Sequence, residues 1–210
     1  MKNYVLNLSI SKAAVTVGVA FIASLIIVTI IDDFLLSNFV VPGDTDLLAI
    51  DIQANNTLFG LAVIGYLVVL VLDAIIGLAL FVVLKSANQV LAMITSALRL
   101  LYAVTLVLGL FALVFQSIDV YGYALIKQIG YVFFTFHLFA LGFSIIHSGY
   151  LPKSLGVLLI IASFTYVVFF IDHSLPDMLT TVLMLIMALA ELSLSIWLIA
   201  KRNHLPENSV

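Results

Sequence analysis

Long apolar stretches broken by short polar connections set the pattern of this chain. They cover about Ala13–Val41, Leu58–Leu84, Ser86–Phe115, Ala124–His147, Ser154–Ile171 and Asp177–Ala200. Each reaches the roughly 17–25 residues that a helix needs to cross a hydrocarbon core about 30 Å thick. Ala13–Ile31 is too long for a signal-peptide core of about 7–15 residues, and no small-x-small cleavage site follows it, so it reads as a retained first span. The breaks at Lys85, Gln116–Tyr123, Ser148–Lys153 and Asp172–Pro176 are short. They force neighbouring helices to run antiparallel. The pattern predicts an all-α polytopic membrane protein: six transmembrane helices in one bundle, with residues 1–210 as a single six-span membrane domain.

The sizeable polar connection is Pro42–Thr57. Asp44 or Thr45 caps a short helix there, and Leu47, Leu48, Ile50 and Ile52 are too few to span. A short extracytoplasmic interfacial helix over Thr45–Asn55, lying across the bundle mouth, is the expected form; a plain surface loop is the alternative. Lys2, Lys12, Lys85, Lys153, Lys201 and Arg202 all fall on one side of the six spans, with Lys127 near the other. The positive-inside rule makes that common side cytoplasmic, so both termini are expected there.

Composition supports the bilayer as the chain's solvent. It is 64% hydrophobic and 9% charged, with a mean hydropathy of +1.30; soluble domains are about a quarter charged. Eight basic residues, seven of them scattered at span ends and Arg99 within a span, form no phosphate-binding patch, so nucleic acid is not an expected partner and the lipid bilayer is. The absence of cysteine excludes disulfides, Cys-ligated zinc, iron–sulfur clusters and thiol nucleophiles.

Against this background, ionisable residues within the spans carry the information. Counted at about 1.5 Å per residue, Asp73, Arg99, His137 and Glu191 lie near mid-membrane on spans two, three, four and six. A central charge costs roughly 2.5–3.5 kcal/mol on insertion scales, so these groups are expected to face one another inside the bundle. Periodicity agrees. Gly130, His137 and Ser144 recur along one face of span four; Ala92, Thr95, Ser96, Arg99, Tyr102 and Ala103 share a face of span three. Asp73 has Tyr66 and Gly77 beside it, span five offers Gly156, Ser163 and Tyr166, and span six aligns Ala188, Glu191 and Ser195. Small residues let backbones approach, and hydroxyls are expected to bond across helices. Asp73, Arg99, His137, Glu191, Tyr102, Ser144 and Tyr166 are therefore the candidate ligand- or ion-binding residues, or equally a buried polar network that only fixes packing. Tyr121, Tyr123, Tyr131, Tyr150 and Trp197 read as interfacial belt residues, and Met184 and Met187 as packing.

Other chemistries find less support. His137, Asp73 and Glu191 would make a three-ligand metal site with an open position, but Arg99 adds positive charge at the same depth and no His-x-x-x-His pair is present. His147 and His173 lie at other depths than His137, which disfavours a haem. No hydrolase elbow, phosphate loop or dinucleotide fingerprint occurs. No metal and no cofactor are expected.

The succession Val41-Pro42-Gly43-Asp44, Asp73 in a long span, Ala97-Leu98-Arg99-Leu100, Phe134-Thr135-Phe136-His137-Leu138 and Ser148-Gly149-Tyr150-Leu151-Pro152-Lys153-Ser154-Leu155-Gly156-Val157-Leu158-Leu159 resembles a bacterial membrane family catalogued as domain of unknown function 4386. The resemblance runs over nearly the whole chain. It implies a six-helix inner-membrane protein in which the arginine, the histidine and the Gly-Tyr-Leu-Pro turn are shared features, and it implies no activity. Two function classes remain: a small-ligand or ion/proton site in a sensor or transporter, and a structural or interaction protein with a polar core. An intramembrane metal-dependent enzyme is the third. No internal repeat of the kind common in transporters is evident; a homodimer is the form in which six spans would serve as one. The predicted topology places reporters fused after Lys85 or Lys153 in the cytoplasm and reporters within residues 42–57 outside. An extracytoplasmic reporter after Lys85 overturns the six-span assignment.

Overall fold

The computed structural model describes residues 8–31, 56–115, 120–171 and 175–206. Six α-helices account for nearly all of them: α1 (Ile10–Ile30), α2 (Asn56–Leu84), α3 (Gln89–Val114), α4 (Val120–His147), α5 (Lys153–Ile171) and α6 (Asp177–Ala200), followed by a 3₁₀ turn at Arg202–His204. No strand occurs among the described residues. α1, α2, α3, α4 and α6 are long and apolar enough to cross a membrane, and α5 is a shorter apolar helix. The expected interfacial helix at Thr45–Asn55 and the extension of the first span to Val41 lie outside the described residues.

Helix starts differ from the sequence expectation, α1 beginning at Ile10 instead of Ala13 and α2 at Asn56 instead of Leu58. α3 begins at Gln89 instead of Ser86, because Asn88 sits in extended conformation and its side-chain oxygen accepts from the Leu91 amide at 3.0 Å. This is an N-cap, and Lys85–Asn88 becomes the connection. α4 begins at Val120, four residues before the expected Ala124. At α1 the cap is Ser9, accepting from the Lys12 amide.

Each helix packs against its neighbours in sequence, and α1 also meets α6, so the six close into a ring. The seams are made by close backbone approach. A Cβ built on Gly142 of α4 would lie 2.5 Å from the Gly156 carbonyl oxygen of α5, and one on Gly156 would lie 2.6 Å from the Gly142 oxygen. At the α1–α6 seam, a Cβ on Gly18 would stand 2.6 Å from the Ser195 carbonyl oxygen. Without a hydrophobic drive between helices in lipid, such contacts hold spans together by van der Waals packing. Ile76, Leu80, Leu138, Leu141, Leu159, Leu194 and Leu198 fill the interior, while Val71, Leu108, Phe136, Phe164 and Ile196 cover the outside.

The connection between α4 and α5 is held from within. Ser148 Oγ donates to the Ile145 carbonyl and accepts from the Leu151 amide, and Gly149 turns the chain at φ 78°. Tyr150 then donates its hydroxyl to the Val83 carbonyl at 2.6 Å and accepts from Ser86 Oγ at 3.3 Å. Burial raises the pKa of this phenol, which keeps its proton in place for that bond. Tyr150 is thus a clasp between two connections; Tyr123 is buried and Tyr131 is half-buried among aromatic rings.

Thr95 and Ser144 bond across α3 and α4 as expected, but most of the hydroxyls depart from expectation. Thr16, Thr29, Thr105, Ser144, Ser163, Thr165 and Ser195 each donate to a carbonyl three or four residues back in their own helix. A helix interior offers that acceptor at no cost in ordering a second helix. Gly156→Ala should lower stability by about 1–3 kcal/mol through overpacking, whereas Gly60→Ala, with open space around its added carbon, should not. Thermal melts in detergent check this; equal melting of the two variants would contradict the backbone contact between α4 and α5.

Candidate intramembrane site

The polar residues that a bilayer tolerates least are gathered inside the ring. Arg99 on α3 and Asp73 on α2 are each 2% exposed, and Nη2 of Arg99 donates to Oδ1 of Asp73 in a buried ion pair. Helix geometry makes the pairing possible: Gly77, one turn beyond Asp73, lets the Arg99 stem lie against α2, with the site of its absent Cβ 3.4 Å from Arg99 Cβ. Aromatic rings wall the guanidinium. Its Cζ lies 4.7 Å from the Phe21 ring centroid on α1, 4.8 Å from Phe134 on α4 and 5.9 Å from Tyr102 on α3. Such cation–π contacts are each worth roughly 0.5–2 kcal/mol.

The rings continue outward. Tyr102 packs on Phe134 at 4.9 Å and on Tyr131 at 6.5 Å, and Tyr166 of α5 meets Phe134 edge-on at 5.0 Å. Glu191 on α6 is half-buried and close enough for its carboxylate, when ionised, to act on Arg99. Every helix of the ring therefore contributes a side chain to the surroundings of one guanidinium.

His137 is fully buried, and its Nδ1 lies 2.8 Å from the Thr95 carbonyl oxygen. A carbonyl only accepts, so Nδ1 carries the proton and the neutral ring presents a bare lone pair at Nε2. Ser144 gives its proton to the Ala140 carbonyl at 2.7 Å, which leaves Thr95 Oγ1 to donate to Ser144 Oγ at 3.3 Å. Thr95 thus ties α3 to α4 twice, one turn before Arg99.

Of the residues singled out from sequence, Asp73, Arg99 and Tyr102 form one cluster, with Tyr166 joined through Phe134 and Glu191 through its field. His137 and Ser144 form a second, held by Thr95 and joined to the first by the Phe134 ring, whose centroid lies 5.8 Å from that of His137. Phe21 and Phe134 were not singled out for the site and Tyr131 was read as a belt residue; the position of Phe134, three residues before His137 on the same face, was the available signal. His137, Asp73 and Glu191 do not assemble as a metal site: among the described residues no group of three metal-ligating side chains comes together. Several polar atoms are enclosed without a protein partner: Arg99 Nε and Nη1, His137 Nε2, Ser96 Oγ and Ser24 Oγ.

An all-helical bundle with several membrane-length helices and charge enclosed at mid-span defines a multi-pass membrane protein. The chain belongs to the family described as a domain of unknown function (DUF4386), whose model matches residues 16–118 and 112–201. This is the family that the residue pattern resembles. An uncharacterized protein of Archaeoglobus fulgidus is 34% identical over 107 residues, which are 51% of this chain and 64% of that relative. The match thus spans less than two thirds of the relative's length. No solved structure matches.

Arg99→Leu should destabilise the protein by roughly 3–5 kcal/mol, because it leaves the Asp73 carboxylate buried and unpaired. Adding Asp73→Leu should recover most of that loss. Unfolding of the two single variants and the double variant in micelles measures the coupling; additive losses would deny the pair.

Proposed function

We propose that this is a six-span protein of the cell membrane, with both termini in the cytoplasm, that binds a small ligand or ion at the Arg99 cluster in the manner of a sensor or transporter. The observation that supports it is the unused half of the Arg99 guanidinium. Nη2 is engaged by Asp73, whereas Nε and Nη1 are buried with no protein acceptor. Enclosed donors without acceptors cost about 1–3 kcal/mol each, more for a charged group. Nε–H and Nη1–H point to opposite sides of the guanidinium, so a ligand oxygen on either side would accept a charge-assisted hydrogen bond. Intramembrane ionisable groups on several helices are the usual mark of a substrate or ion path.

A structural reading is favoured by a different observation, the contact of both Phe21 and Phe134 with the guanidinium, which would pin α1, α3 and α4 without any ligand. The two readings differ in their response to added solutes. Purified protein in lipid nanodiscs should melt higher with one class from a panel of small carboxylates, phosphate, amines and mono- and divalent cations at constant pH. Saturation at a hundredfold over Kd corresponds to about 2.7 kcal/mol. Arg99→Lys keeps the charge but removes the planar array of donors, so it should abolish the shift. A panel without effect, or a shift that survives Arg99→Lys, speaks for the structural pin.

A further inference from the structure

We propose that the cluster holds one exchangeable proton, carried by Glu191, and that its release moves Glu191 onto an unused nitrogen of Arg99. The inference rests on the reading of this cluster as a binding site and names what regulates it. Its first support is a count of charge. Arg99 brings one positive charge that it cannot lose; Asp73 and Glu191 would together bring two negative ones. His137 does not correct the imbalance, since its Nδ1–H is spent on the Thr95 carbonyl and its ring is neutral. A net negative charge at mid-membrane is costly, and one proton on a carboxyl removes it. Asp73 already has the guanidinium as its partner, so Glu191 is the group that takes the proton.

The second support is the pairing of two loose ends. The Glu191 carboxyl lies within the field of Arg99 without a hydrogen bond to it, and Arg99 keeps two buried N–H groups without an acceptor. An ionised Glu191 would satisfy one of them. Glu191 is also half-buried while Asp73 and Arg99 are enclosed. The step balances simply: the carboxyl O–H bond breaks, the proton passes to water, and the carboxylate accepts from one of the two unused N–H groups of Arg99, Nε or Nη1, while Asp73 keeps Nη2. α6 is thereby drawn toward α3 across the ring. A ligand held on the same Arg99 edge competes with the ionised glutamate, so ligand uptake and proton uptake go together.

The groups that bear on Glu191 are Arg99 of α3, Asp73 of α2 and Tyr166 of α5. Tyr102 of α3 and Phe134 and His137 of α4 lie about Arg99. α1 brings Phe21 and Ser24 at this depth, with Lys12 in its first turn. The turn after α6 places Arg202 and His204, both exposed, beyond the end of the helix.

Infrared spectroscopy of the protein in hydrated lipid tests the assignment. At near-neutral pH the wild type should show the C=O stretch of a protonated carboxyl, shifted by deuteration and lost on alkaline titration. Glu191→Gln should lack it. Asp73→Asn should lack it too, because Arg99 then needs Glu191 as its ionised partner. A wild type without the band, or either folded variant retaining it, overturns the proposal, and the wild-type titration decides alone if a variant does not fold. Loss of the band on adding sodium or potassium at constant pH would overturn the proton in favour of a metal cation. If the band is absent but ligands still stabilise the protein through Arg99, the proton fails and the binding site stands. If the band is present without ligand stabilisation, the reverse holds.

Discussion

A guanidinium that cannot shed its charge lies enclosed within a bundle of lipid-solvated helices, and the rest of the structure answers that constraint. Water is not at hand to solvate Arg99, so protein groups must do it. Asp73 supplies the counter-charge, Phe21 and Phe134 supply polarisable rings, and Tyr102 closes a further side. These partners come from α1, α2, α3 and α4, which fixes the rotation of each helix about its axis. If α2 turned by one residue, Asp73 would swing by about 100°, out of reach of the arginine.

Precision of that kind needs helices that approach closely and stay put. The glycine contact between α4 and α5 and the Gly18 contact of α1 with α6 bring backbones together without side chains to mediate. The Tyr150 clasp ties the α4–α5 connection to the end of α2, one of the two helices that hold the ion pair. Packing and electrostatics therefore depend on each other: the ring seams set the depth and angle at which Asp73 meets Arg99, and the pair penalises any slip of the seams. Held this way, the guanidinium faces Asp73 with one nitrogen and keeps the other two unengaged, which a purely structural pin does not require.

Much of this was legible in the order of residues. In a chain that is 64% hydrophobic, Asp73, Arg99, His137 and Glu191 stand out because each is expensive in lipid, and helical periodicity placed the first three on buried faces. The aromatic walls were not legible. Phe21, Phe134 and Tyr131 are three of many aromatics in an apolar chain, and nothing in the letter distinguishes a ring over a cation from a ring in lipid. The hydroxyls misled for a related reason: a serine in a helix can bond across or back, and Ser163 and Ser195 bond back. The start of α3 shifted because the capping strength of Asn88 outweighed the continuous apolar count, and the family was readable because its polar positions recur in order along nearly the whole chain.

The most direct measurement uses the scarcity of arginine. The sequence contains two, Arg99 and Arg202, so protein labelled with ¹⁵N-arginine and ¹³C-aspartate gives two guanidinium signals in solid-state NMR of lipid samples. The Arg99 signal should exchange slowly with deuterium and be dephased by a single aspartate carboxyl at hydrogen-bond distance, an effect that Asp73→Asn removes. The Arg202 signal should exchange freely. If both guanidinium signals exchange rapidly and neither is dephased by an aspartate, Arg99 is not enclosed with Asp73 and the bundle is not built around it.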